Sequence, residues 1–194
     1  MQGKNHVALA LAVPLAGAML VGIDLLPATA AAWGGLIIGS LAPDVDGEGS
    51  VCYLGNFLPR HITPKPVVTI LNGIGKTISG VVRDIFGHRK ALHWPLWGFM
   101  LVLAGGNFQL DWLAWLGVGY VLHIAGDSLT KSGVPLLGPV LAVDISFTPM
   151  VTGKWLESAF GYALWCFVAW RLAIEVLPRS VWLGELYRFG GSIL

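Results

Sequence analysis

Seven side chains able to ligate a divalent cation fall in four short stretches: His6, Asp44 with Asp46, His88 with His93, and His123 with Asp127. His123 and Asp127 are four apart at the end of an apolar run from Gly119 to Ala125, so on a helix they share one face. An imidazole and a carboxylate in that setting are costly unless paired or bound to a cation, so we read the pair as one half of a metal site, the alternative being an interfacial pair that caps the helix end. Asp44 and Asp46 flank Val45 after Pro43. In an extended turn both carboxylates point the same way and can chelate or bridge; the alternative is a helix-ending Pro-Asp turn with solvated acids.

His88 and His93 are five apart, about 140° around a helix, so they meet only if a turn intervenes. Gly87 before them and Pro95 after them favour such a turn. Between them, Arg89 and Lys90 suit an anionic substrate or a developing oxyanion, and equally suit anchoring at lipid headgroups. His6 precedes an apolar helix, where an interfacial role competes with ligation. Asp46 is also a candidate general base, as is Glu48, which a solvated loop would explain as well. His61, beside Arg60 in a loop, is set aside.

Imidazole plus carboxylate is the ligand set of zinc, manganese or iron, and zinc or manganese is expected here, with a metal-activated water as nucleophile. The chain carries neither a GxSxG elbow nor an HExxH helix, so serine-hydrolase and zincin chemistry have no motif behind them.

These residues need elements to position them. Val7–Ile23 reads as an apolar helix, although Lys4 and Ala28-Thr29-Ala30 also fit a signal peptide with an unusually long apolar stretch. Residues 28–42 form an Ala/Gly-rich segment too short for a full span, whose small residues allow close packing on a neighbour. Within 47–92, apolar residues from Val67 to Ile85 recur at three- and four-residue spacing, predicting an amphipathic helix that lies in the interface or caps the bundle and so roofs the site. Segments 94–105 and 110–126 read as a helical hairpin turned at Gly105-Gly106-Asn107, residues 132–152 as a Gly/Pro-punctuated loop, and 155–177 as the last span.

The composition sets the same frame: of 194 residues, 55% are hydrophobic and 12% charged, against about a quarter charged in soluble domains. The expectation is an all-α, polytopic membrane helical bundle with about five membrane segments and the amphipathic helix at the interface, forming one domain over 1–194. Its partner is the lipid bilayer. A net charge of +1 with scattered basic residues argues against nucleic acid. Nine of the twelve basic residues fall on the side that gathers the histidines and aspartates, which the positive-inside rule makes cytoplasmic. Cys52 and Cys166 are far apart in the sequence, and no disulfide is expected.

Taken in order, the His before an apolar helix, Gly39-Ser40-Leu41-Ala42-Pro43-Asp44-Val45-Asp46, Gly87-His88-Arg89-Lys90-Ala91-Leu92-His93 and His123-Ile124-Ala125-Gly126-Asp127-Ser128-Leu129-Thr130 with Gly133-Val134-Pro135 resemble the YdjM-like family of LexA-regulated, inner-membrane proteins classed as metal-dependent hydrolases. The resemblance covers roughly residues 5–140 and leaves out the last span. It implies a multi-pass protein of the bacterial inner membrane with a divalent-metal site carried by His6, Asp44, Asp46, His88, His93, His123 and Asp127. One departure is Trp94-Pro95 after the second histidine, where family members often carry a Thr-His-Ser type context. The expected activity is cleavage of an ester or phosphoester at the lipid interface, with lipid or a lipid-linked phosphate as substrate. The alternatives are a non-enzymatic assembly or partner-binding protein held by a structural polar cluster and, further off, a metal or proton transporter.

Overall fold

The computed structural model describes residues 1–21, 26–46, 63–86, 91–141 and 143–176. His88, Arg89 and Lys90 lie outside the described residues, as do Glu48, Cys52 and His61, and for Asp46 only the backbone is described. The described chain is all-α, with six α-helices: α1 (Gly3–Val21), α2 (Ala30–Gly39), α3 (Lys65–Phe86), α4 (Pro95–Asn107), α5 (Asp111–Ser128) and α6 (Trp155–Val176). Two short 3-10 turns, η1 (Ala42–Asp46) and η2 (Ala91–His93), complete it. Among the described residues, pairing of the β type is limited to a bridge between Val134 and Ile145.

Helix α5 is the centre, packed along α2 on one side and α4 on the other, while α1 packs on α6 and touches α5 and α2. The close approach of α2 to α5 follows from three glycines. A Cβ on Gly35 would stand 2.2 Å from the Trp112 carbonyl oxygen, one on Gly39 2.0 Å from that of Leu116, and one on Gly119 2.1 Å from that of Leu36. Backbone therefore meets backbone, the small-residue packing used between apolar helices. Thr29 caps α2 by accepting the Ala32 N–H at 3.1 Å, fixing where the helix starts and hence where its far end delivers Asp44.

The hairpin is present, but its turn lies later than the glycines suggest. Helix α4 continues through Gly105 and Gly106, and the chain reverses at Phe108–Leu110, with Gln109 at φ 57°. Gly105 serves packing instead: a Cβ there would lie 2.3 Å from the Ala114 backbone nitrogen on α5. Two apolar clusters hold the rest. Ala12, Leu15 and Val168 join α1 to α6, while Tyr120, Ile124 and Val134 close the floor beneath the ends of α5 and η1.

Among the described residues no helix is long and apolar enough to cross a membrane. The expected segments are present as helices, but α2 has 10 residues and α4 has 13, about 15 and 20 Å at 1.5 Å per residue against a core of about 30 Å. Longer α1 and α6 carry polar residues within the helix, including His6, Glu157 and Arg171.

Candidate metal centre

Three elements converge at one point. The end of α2 runs into η1 and presents Asp44, η2 presents His93, and the last turns of α5 present His123 and Asp127. One ligand atom from each of these four residues lies within 4.8 Å of all the others. His123 Nε2 is 3.6 Å from Asp44 Oδ1 and 3.5 Å from Asp127 Oδ2, and His93 Nε2 is 3.8 and 3.6 Å from the same two oxygens. Each separation exceeds a good hydrogen bond. Ligand atoms placed tetrahedrally at the usual ~2.0–2.2 Å around zinc stand ~3.4 Å apart, close to what is seen here.

The donor chemistry fits a cation as well. His123 Nδ1 lies 2.8 Å from the Ser40 carbonyl oxygen, which can only accept, so Nδ1 carries the proton and Nε2 keeps its lone pair toward the carboxylates. His123 Nε2 and both nitrogens of His93 are buried without a hydrogen-bond partner. Three of the four side chains are nearly inaccessible, whereas that of Asp44 remains 23% exposed, so the cluster opens to its surroundings on the Asp44 side.

The surrounding residues hold these ligands in place. Tyr120, one turn before His123, donates its hydroxyl to the Leu92 carbonyl and so ties η2 to α5 beside His93. Asp127 uses its two oxygens differently: Oδ2 faces His93 and His123, while Oδ1 accepts from the Met1 backbone nitrogen and from His6 Nε2, the latter at 3.2 Å. His6 Nε2 also donates to the Met1 carbonyl at 3.1 Å. Its ring stacks on that of His123, with centroids 3.7 Å apart and planes 11° apart. His6 therefore stands beside the four-residue group, orienting Asp127 and covering His123.

Burial pushes Asp44 up, but interaction with His93 and the fields of His123 and His6 outweigh it and hold the carboxyl below its ordinary range. Burial likewise pushes His93 down, yet the carboxylates of Asp127 and Asp44 prevail and raise it to about 9.

Of the seven expected ligands, the structure brings Asp44, His93, His123 and Asp127 together and sets His6 against them. His88, and the expected catalytic residues Arg89 and Lys90, lie outside the described residues, and the side chain of Asp46 is not described. The extended turn expected to set Asp44 and Asp46 on one side is instead the 3-10 helix η1, in which positions two apart do not share a side, so of the two it is Asp44 that joins the group among the described residues. Residue types alone missed Tyr120 and the Ser40 carbonyl. Tyr120 sits three residues before His123 and so shares its face, a signal that was available; a backbone carbonyl leaves none.

A sequence profile for YdjM inner membrane protein matches residues 1–187. The chain belongs to the YdjM family. Among curated YdjM proteins it is similar to inner membrane protein YdjM of Escherichia coli (strain K12), 32% identical over 41% of this chain and 50% of that protein. The same values hold for inner membrane protein YdjM of Shigella flexneri. The chain thus spans about half the length of the curated YdjM relatives it matches. No solved structure matches it.

Proposed function

We propose that this YdjM-family protein is a metal-dependent hydrolase of the bacterial inner membrane that cleaves an ester or phosphoester at the lipid interface. The observation that carries the reading is the convergence of Asp44, His93, His123 and Asp127, with unpartnered imidazole nitrogens aimed at the two carboxylates. A divalent ion, zinc or manganese by its donors, would supply Lewis acidity and an activated water at neutral pH. The chain's own part is positional. Ser40 fixes the His123 tautomer, His6 fixes Asp127, and Tyr120 fixes the backbone beside His93. The exposed edge at Asp44 is the side from which a substrate reaches the centre. Asp46, two residues beyond Asp44 in η1, is our candidate base, with Arg89 and Lys90 as the groups meeting the substrate's anionic part and His88 as a further candidate ligand.

The proposed topology is multi-pass with the site toward the cytoplasm, supported by the one-sided distribution of Lys and Arg. The short helices α2 and α4 would require a locally thinned bilayer. Cysteine labelling at positions 131 and 188 from either side of the membrane tests this orientation, which requires opposite accessibility.

A second reading has its own observation. With His93 raised to about 9, the cluster in the absence of metal is a charge-paired network able to hold η1, η2 and α5 together without chemistry. Metal content by mass spectrometry on protein purified without chelators or a histidine tag decides between them. The hydrolase reading expects bound metal that is lost in both His123→Ala and Asp44→Ala; protein that stays metal-free after reloading with zinc and manganese supports the structural one. Esterase and phosphodiesterase assays in lipid on the metal-loaded protein then test the reaction.

A further inference from the structure

Helix α3 is built inside out. At about 100° per residue, Val67, Ile70, Ile74, Ile78, Val81 and Ile85 fall within one arc about 80° wide. In a water-soluble fold that arc would face the core. Here all six residues are exposed, from 41% at Val67 to 68% at Ile85. The face turned to the protein is instead small and mixed, with Gly75 and Ser79 buried and Leu71 and Val82 half-buried. A third arc, carrying Thr69, Gly73, Lys76 and Asp84, is exposed and polar.

The three arcs are centred roughly 120° apart at that helical step, so α3 turns one face to protein and exposes two others, one aliphatic and one polar. A helix in contact with one other protein surface needs two kinds of face. Three faces, one of them aliphatic along the whole helix and bordered by a polar arc with Lys76, are what a helix lying in the plane of a bilayer surface requires. The chain's membership of a family described as inner membrane protein supplies that bilayer.

Helix α3 also packs against η1, the element that carries Asp44. We propose that α3 is a bilayer-surface helix whose aliphatic arc enters the acyl boundary, holding η1 and the exposed edge of the His/Asp cluster level with phospholipid headgroups. The headgroup as the group presented to the cluster rests on the hydrolase reading; the seating of α3 does not.

Nitroxide scanning of the full chain in phosphatidylethanolamine/phosphatidylglycerol nanodiscs tests the seating. With Cys52→Ser and Cys166→Ser as background, single labels are placed through Ile74→Cys and Ile78→Cys on the aliphatic arc, and Thr69→Cys and Lys76→Cys on the polar arc. Circular dichroism and a monodisperse elution profile establish that each variant is folded; all four positions are exposed. The expected result is collision of the labels at 74 and 78 with oxygen but not with a water-soluble nickel chelate, at a depth of about 5–10 Å below the headgroups, and the reverse at 69 and 76. Labels at 74 and 78 reached by the nickel chelate as readily as those at 69 and 76 would overturn it by placing the arc in water. Labels reached by neither agent would overturn it too, by showing a protein partner or second copy on the arc. The metal measurement is separate, so loss of the hydrolase reading leaves this outcome intact.

Discussion

The tautomer of His123 is the smallest feature on which the centre depends. With Nδ1–H held by the Ser40 carbonyl, Nε2 is an aimed lone pair at no cost of reorientation when a cation arrives. Tyr120 does comparable work for His93, but through backbone: its hydroxyl holds the Leu92 carbonyl and with it the last turn of η2. Tyr120→Phe removes one hydroxyl and keeps the ring that packs with Ile124 and Val134. The expected outcome is metal affinity about 10–100-fold weaker with the helical content unchanged, read by competition with a chromophoric chelator; unaltered affinity would remove Tyr120 from the centre. His93 imposes a pH dependence of its own. Because its folded value is raised to about 9, the imidazole is protonated at neutral pH in the metal-free protein, and a binding cation must displace that proton. Apparent affinity should therefore rise with pH, by up to about tenfold per unit, and level off above about 9. Zinc titrations between pH 6.5 and 9.5 check this, and a flat profile would mean that His93 does not ligate.

At the scale of elements, the centre depends on how closely α2 lies against α5, because Asp44 arrives from the first and His123 with Asp127 from the second. Gly39 is the nearest point of contact. Gly39→Ala puts a methyl where a Cβ would stand 2.0 Å from the Leu116 carbonyl oxygen, so backbone must move. The expected cost is about 1–3 kcal/mol of stability, together with weakened metal binding as the end of α2 shifts. Gly34→Ala is the control: nothing lies within 4 Å of its Cβ position, and both properties should hold. Thermal unfolding and metal content on the pair read the difference, and equal behaviour would refute the glycine seam as the positioning device. This seam was half legible in the sequence. The Ala/Gly-rich character of residues 28–42 pointed to close packing on a neighbour, but nothing local named α5 as that neighbour. Gly105 misled for a related reason: a glycine admitting another helix's backbone has the same one-letter signature as a glycine making a turn, and only Ala114 across the interface distinguishes them. His123 and Asp127 were readable because four-residue spacing is a helical distance. Joining them to Asp44 and His93 needed tertiary contacts, which residue types suggested without supplying.

For the molecule as a whole, the hydrophobic and charge composition marked a membrane protein, and membership of a family of inner membrane proteins agrees. Helix hydropathy does not repeat that message in α1 and α6, because polar groups within them are used for contacts between helices. Glu157 shows how: fully buried on α6, it accepts from the Gln2 backbone at 2.5 Å, the Asn5 amide at 3.0 Å and the Gly153 backbone at 2.5 Å. It thereby joins α6 to the start of α1, one residue before His6. The His/Asp cluster joins η1, η2 and α5, and a fourth element, α1, reaches it through His6. Metal removal should accordingly loosen the global fold as well as the site. If the ion is present at about 1,000 times its dissociation constant, binding to the folded state alone contributes about 4 kcal/mol. In a chain of this length that corresponds to a fall in Tm of about 8–16 °C on chelation. Thermal scans with and without EDTA, and after readdition of zinc, measure it. His123→Ala should unfold at a temperature indifferent to both additions, whereas a wild-type Tm equally indifferent to them would mean that no ion contributes to the fold and that the imidazole–carboxylate pairs between η1, η2 and α5 stand without one.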